Sequence, residues 1–162
     1  MKRNTAVIYL PVMISFIIAF SLMIIPLSPT IKCLRPDLVT LLLIYWVINL
    51  PSKVGIVFAF LIGLLFDLLT GHLLGSMGLA LSIIAFLTIN LRMRLKIYRF
   101  WQKFAIIMLL VGCGQLISLW IQMLVGHPPA NFLYWFTSII SALLWPVVYM
   151  VLNSYQRSLN IA

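Results

Sequence analysis

Acid is what this chain has least of: Asp37 and Asp67 are the only carboxylate side chains among 162 residues. A metal site needs clustered His, Cys or carboxylate ligands, and two lone acids, two histidines in separate loops and two cysteines make a poor set. Intramembrane proteolysis by paired aspartates is disfavoured for the same reason, since Asp67 is the one aspartate expected deep inside an apolar run. Nucleophilic catalysis wants a Ser or Cys beside a base, yet the serines inside apolar runs have no His or carboxylate at helical spacing in the same run. No glycine-rich loop resembles a phosphate cradle. Cys33 falls in a loop and Cys113 near the middle of an apolar run, too far apart to pair, so Cys113 reads as packing and Cys33 as an incidental free thiol. Long polar stretches are missing too, none exceeding about a dozen residues, which leaves no room for a folded domain outside a membrane.

What fills the chain is apolar. Hydrophobic residues make up 64% of it, charged residues only 8%, and the mean hydropathy is +1.18. These values describe an all-α integral membrane protein, a compact bundle of about six transmembrane helices in a single polytopic domain. A net charge of +9 would point a soluble chain towards nucleic acid, but here the basic residues lie between apolar runs, where they set topology.

Six runs are predicted as spans, at about 6–27, 36–50, 54–70, 75–91, 104–125 and 132–152. The first follows Lys2 and Arg3 and is longer than the core of a secretory signal, with no A-x-A site after it, so it is expected to be retained. Arg35-Pro36-Asp37 opens the second: proline suits a first helical position, and an acid in the first turn meets the positive end of the helix dipole. The second and third runs are short, roughly 21 to 25 Å at helical rise against a bilayer core of about 30 Å. They either cross a thinned bilayer or form a re-entrant hairpin, and a bare Lys53 at membrane depth favours two crossings. The fifth carries Gly114, Ser118, Gln122 and Gly126 in steps of four with Gln115 alongside, the mark of a helix buried among helices. Pro146 is expected to bend the sixth.

Arg92, Arg94, Lys96, Arg99 and Lys103 form the most basic segment, with Tyr98 and Trp101 among them. Such a mixture suits the headgroup layer, either as a docking site for anionic lipid or a cytosolic partner or only as a topology signal. With the N-terminus inside, Lys2, Arg3, Lys53, this segment and Arg157 put nine cations on one side, against Lys32 and Arg35 on the other. Both termini are therefore predicted cytoplasmic, leaving Arg35, Asp37, Asp67, His72 and His127 near the outer face.

The most informative stretch runs from Gly63 to Gly75. An aspartate among leucines needs a partner or a cavity. Stepping by four, Gly55, Ala59, Gly63, Asp67 and Gly71 trace a winding stripe of small residues that would let another helix come close. Asp67 is either a buried polar group holding two helices together or an ion or ligand site, and Arg35 is the first candidate for its partner.

Two classes of function follow: a membrane subunit that binds other proteins, or a substrate-binding transporter component with a pocket near Asp67. A carrier should carry a richer set of interior polar residues, so the sparse set here favours the first.

Arg35-Pro36-Asp37 leading into Leu41 to Trp46, then Gly63 to Asp67, Gly71, Gly75, Leu79 to Phe86 and Leu143-Leu144-Trp145-Pro146, together resemble the rod shape-determining MreD family of rod-shaped Gram-negative bacteria. The resemblance runs from the first span to the last. It implies a non-enzymatic inner-membrane component of the machinery that builds side-wall peptidoglycan, without a cofactor. It implies association with MreC, a single-span protein with a large periplasmic domain, and through it with MreB, RodZ, RodA and the elongation transpeptidase. The family is also similar in fold to substrate-binding subunits of vitamin uptake transporters, which keeps the carrier as the alternative.

Overall fold

The computed structural model describes residues 5–25, 36–71, 73–126 and 136–158, so Lys2, Arg3, Lys32, Cys33, Arg35, His72 and His127 lie outside the described residues. Every regular element among the described residues is a helix: α1 (Thr5–Ile24), α2 (Leu38–Asn49), α3 (Ile56–Thr70), α4 (Ser76–Ile97), α5 (Phe100–Leu124) and α6 (Phe136–Ser158).

The fold is built around the shortest of them. α2 reads LVTLLLIYWVIN, apolar on all sides, and a helix without a polar face belongs in an interior. Each residue from Val39 to Val47 is buried. Helix α2 packs against α1, α4, α5 and α6, while α3 bridges α1 and α4 on the outside. At twelve residues it is only about 18 Å long, shorter than a bilayer core. Such a helix can sit at membrane depth because protein, not lipid, surrounds it.

Polar side chains pin α2 to its neighbours. The Trp46 indole N–H donates to Ser15 Oγ on α1 at 3.0 Å, and that hydroxyl donates to the Val12 carbonyl at 2.7 Å. Tyr45 donates to Gln156 Oε1 on α6 at 3.0 Å. Its ring meets Tyr149 edge-on at 5.7 Å. Both large aromatics thus bury their rings with the polar tip satisfied.

The same contacts fix the helix directions. The backbone N–H of Asp37, just before α2, donates to Ser141 near the start of α6, and the end of α3 meets the start of α4. At the opposite end Lys53, in the α2–α3 turn, lies 5.8 Å from the ring centre of Tyr9 near the start of α1. Consecutive helices therefore alternate in direction. Asp37 and Asp67 lie at one end, called here the acidic end. Lys53, Arg92, Arg94, Lys96, Arg99 and Lys103 lie at the other, the basic end.

Outward surfaces are aliphatic: Val57, Leu61 and Leu68 on α3 and Leu143, Val147 and Val151 on α6 are exposed, which in water would be an unstable patch and in lipid is a solvent-matched face. By length and composition Ser76–Ile97, Trp101–Leu124 and Phe136–Gln156 can cross a membrane, and Tyr9–Ile24, Leu38–Asn49 and Ile56–Thr70 are shorter apolar helices.

Two local features differ from the sequence reading. Helix α2 starts at Leu38, with Asp37 as its cap instead of a first-turn residue, because the carboxylate folds back onto Thr40. Helix α4 does not end with the apolar run at Leu91 but continues through Arg92 and Lys96, since Arg, Met, Leu and Lys are all strong helix formers. The break comes at Tyr98 and Arg99, both extended.

Candidate functional site

Both carboxylates of the chain do the same job: each caps the start of a helix at the acidic end. Asp37 Oδ1 accepts the Thr40 N–H at 3.1 Å, and Oδ2 accepts the Thr40 hydroxyl at 2.5 Å. Asp37's own N–H donates to Ser141 Oγ at 2.8 Å, so one residue joins α2 to α6. The amides of a first helical turn have no intrahelical acceptor, and a short acidic side chain meets that need.

Asp67 caps a helix other than its own. Helix α3 is capped by Gly71, left-handed at φ 68°, whose N–H returns to the Asp67 carbonyl. Helix α4 starts after Gly75, at φ 95°, which has no side chain with which to cap. Asp67 supplies the missing acceptor: Oδ2 takes the N–H of Gly75 at 2.9 Å and of Met77 at 3.1 Å, and Oδ1 takes the Ser76 hydroxyl at 3.3 Å. The carboxylate is fully buried, and its negative charge sits at the positive end of the α4 dipole. Backbone donors therefore balance it within the described residues; Arg35, the first candidate from sequence, lies outside them.

One turn below, the two helices nearly touch. A Cβ on Gly63 would stand 2.5 Å from Gly78 Cα, 2.6 Å from Gly78 N and 2.7 Å from the Met77 carbonyl oxygen. Ala59 is fully buried as well. The flank that the sequence offered to an incoming helix is filled at Gly63 and Asp67 by the chain's own α4, because a five-residue turn with glycine at both ends folds α4 back on α3. Gly55 caps the start of α3 with open space around it, Gly71 is exposed and Gly75 half-buried. These three lie at the ends of the hairpin, away from its tight crossing.

The α5 stripe is likewise occupied at two of its positions. A Cβ on Gly114 would stand 2.5 Å from Ile84 Cδ1 on α4, and the buried Ser118 hydroxyl lies 3.6 Å from Met77 Sδ. Gln122 is half-buried near the acidic end. Gln115 accepts from Ser138 and ties α5 to α6. Pro36 is half-buried beside Asp37. At the basic end Arg94, Lys96 and Arg99 are exposed, Arg92 and Lys103 half-buried. Among the described residues no three His, Cys, Asp or Glu side chains group as metal ligands.

Sequence reading missed Thr40, Ser141 and Gly78. Gly78 had a signal: glycine inside a helix costs about 1 kcal/mol relative to alanine, so two of them in facing helices indicate a close crossing. Ser141 had none, since a serine in an apolar helix commonly bonds to its own backbone.

The model of the family described as rod shape-determining protein MreD matches residues 4–155. The rod shape-determining protein MreD of Haemophilus influenzae is 29% identical over 149 residues, covering 90% of this chain and 90% of that one. No solved structure matches.

Proposed function

Since this chain belongs to the rod shape-determining MreD family, we propose that it is a non-enzymatic scaffold of the bacterial inner membrane that holds MreC in the cell-wall elongation machinery. The observation that carries this reading is the match over nearly the whole length to a family named for rod shape. The geometry supports a holding role. Both carboxylates are consumed as helix caps, which favours a rigid framework over acid–base chemistry or ion transport. It likewise weakens the alternative of a vitamin-type carrier with a pocket at Asp67.

The basic end faces the cytoplasm in this proposal, with both termini, because cations are retained on that side. The acidic end then faces the periplasm, where the bulk of MreC lies. Among the described residues Pro36, Asp37, Gly71, Gly75 and Gln122 lie at that end. The single span of MreC packs on the aliphatic faces left uncovered by the chain itself, such as Leu10, Met13, Ile14 and Ile17 on α1. MreB, RodZ, RodA and the elongation transpeptidase are reached through MreC.

Depletion in a rod-shaped host tests this. Cells should round up while vitamin uptake stays normal. Unchanged rods, or saturable binding of a vitamin to the purified chain that is lost with Asp67→Asn, would count against it.

A further inference from the structure

We propose that the basic end binds the phosphate headgroups of anionic phospholipid around the turn from α4 into α5, with Arg92, Arg94 and Arg99 as the cations that engage them. Six cations gather at this end, while both acidic side chains are at the other end and already engaged. The counter-charge must come from outside the described chain.

Arg92 locates the site. On α4 the buried positions Leu81, Ala85, Thr88 and Leu95 follow steps of four, three and seven, and Arg92 stands in the gap between Thr88 and Leu95. A guanidinium thus occupies a place in the inward stripe where an apolar residue is the rule. Arg92 is half-buried, and its Nε is buried with no hydrogen-bond acceptor among the described residues. An unmet buried donor on a cation is costly, and a phosphate oxygen is the acceptor best matched to the planar guanidinium.

The turn itself adds to the attraction. Tyr98 and Arg99 are extended, Gln102 Oε1 accepts the Arg99 N–H at 3.3 Å, and the first turn of α5 holds no acid to offset the cations gathered there. Arg94 and Arg99 are exposed there.

Apolar neighbours decide between a lipid and a soluble acidic peptide. Met93, Ile97 and Trp101 interleave with the cations and are 69%, 82% and 80% exposed. A peptide would answer the charges and leave these side chains in water. A phospholipid supplies a phosphate for the arginines and an acyl boundary for the apolar side chains together. The site is remote from the acidic end and does not depend on which protein is bound there.

The test is native mass spectrometry of the full chain in mild detergent with an equimolar mixture of phosphatidylcholine, phosphatidylglycerol and cardiolipin. The parent should retain phosphatidylglycerol or cardiolipin in preference to phosphatidylcholine. Retention should fall about fivefold per cation removed, in Arg92→Gln and in the double variant Arg94→Gln/Arg99→Gln. The double variant alters only exposed side chains, so it keeps the test informative should Arg92→Gln fail to fold. Equal retention of phosphatidylcholine, full retention by the folded double variant, displacement by inorganic phosphate, or a stronger response to polyglutamate than to anionic lipid would each overturn the proposal.

Discussion

Replacing Gly63 with alanine should loosen the whole molecule, although helix propensity alone predicts the reverse. In an exposed helix the change would stabilise by about 1 kcal/mol. Here the new methyl would lie 2.5 Å from Gly78 Cα, about 0.9 Å short of the 3.4 Å at which ordinary contact begins. The obstructing atoms are backbone, so no side chain can swing away, and α3 and α4 must separate. Overpacking of this kind costs about 1–3 kcal/mol. Separation also stretches the Asp67 bonds to Ser76 and Met77, which start at 3.1 to 3.3 Å and each contribute about 1.5–3 kcal/mol as bonds to a charged group. Even after the propensity gain the net loss is about 2 kcal/mol or more, a fall in melting temperature of about 4–8 °C for a chain of this size. Thermal unfolding of detergent-solubilised protein, followed by tryptophan fluorescence, measures it. Gly112→Ala is the control, because its Cβ would meet nothing nearer than Ser138 Oγ at 3.9 Å. A Gly63→Ala protein that melts no lower than Gly112→Ala would refute the close crossing of α3 and α4.

Two further substitutions test the caps. Asp67→Asn replaces one acceptor with an amide that points donors at donors, and should cost about 1–3 kcal/mol, read as faster proteolytic nicking in the turn at 71–75. Ser141→Ala should strand the Asp37 N–H in a buried place at a similar cost of about 1–3 kcal/mol, seen as a lower melting temperature with helix content by circular dichroism unchanged at low temperature.

Much of this architecture is legible in the residues. The all-helical membrane bundle follows from composition, and the cost of an aspartate among leucines marks Asp67 before any coordinates. What sequence hides is the identity of a partner made of backbone. Side-chain donors are visible as letters, so Arg35 stood out, whereas the amides of Gly75 and Met77 become donors only because α4 begins there. The small-residue stripe was ambiguous for a related reason. Gly63 permits a close approach without naming the helix that makes it, and the short turn from Gly71 to Gly75 assigns that helix to the chain itself. The start of α2 lies two residues later than the expected Pro36, at Leu38, because proline and aspartate both suit a helix start and the Asp37 carboxylate folds back onto Thr40 as a cap.

The most direct measurement of the scaffold reading is affinity recovery of the full chain from its native membrane in mild detergent, followed by identification and quantification of what comes with it. MreC should be recovered in near-stoichiometric amount, with RodZ, RodA and the transpeptidase in lesser yield. A folded, monodisperse chain recovered repeatedly without MreC would contradict it.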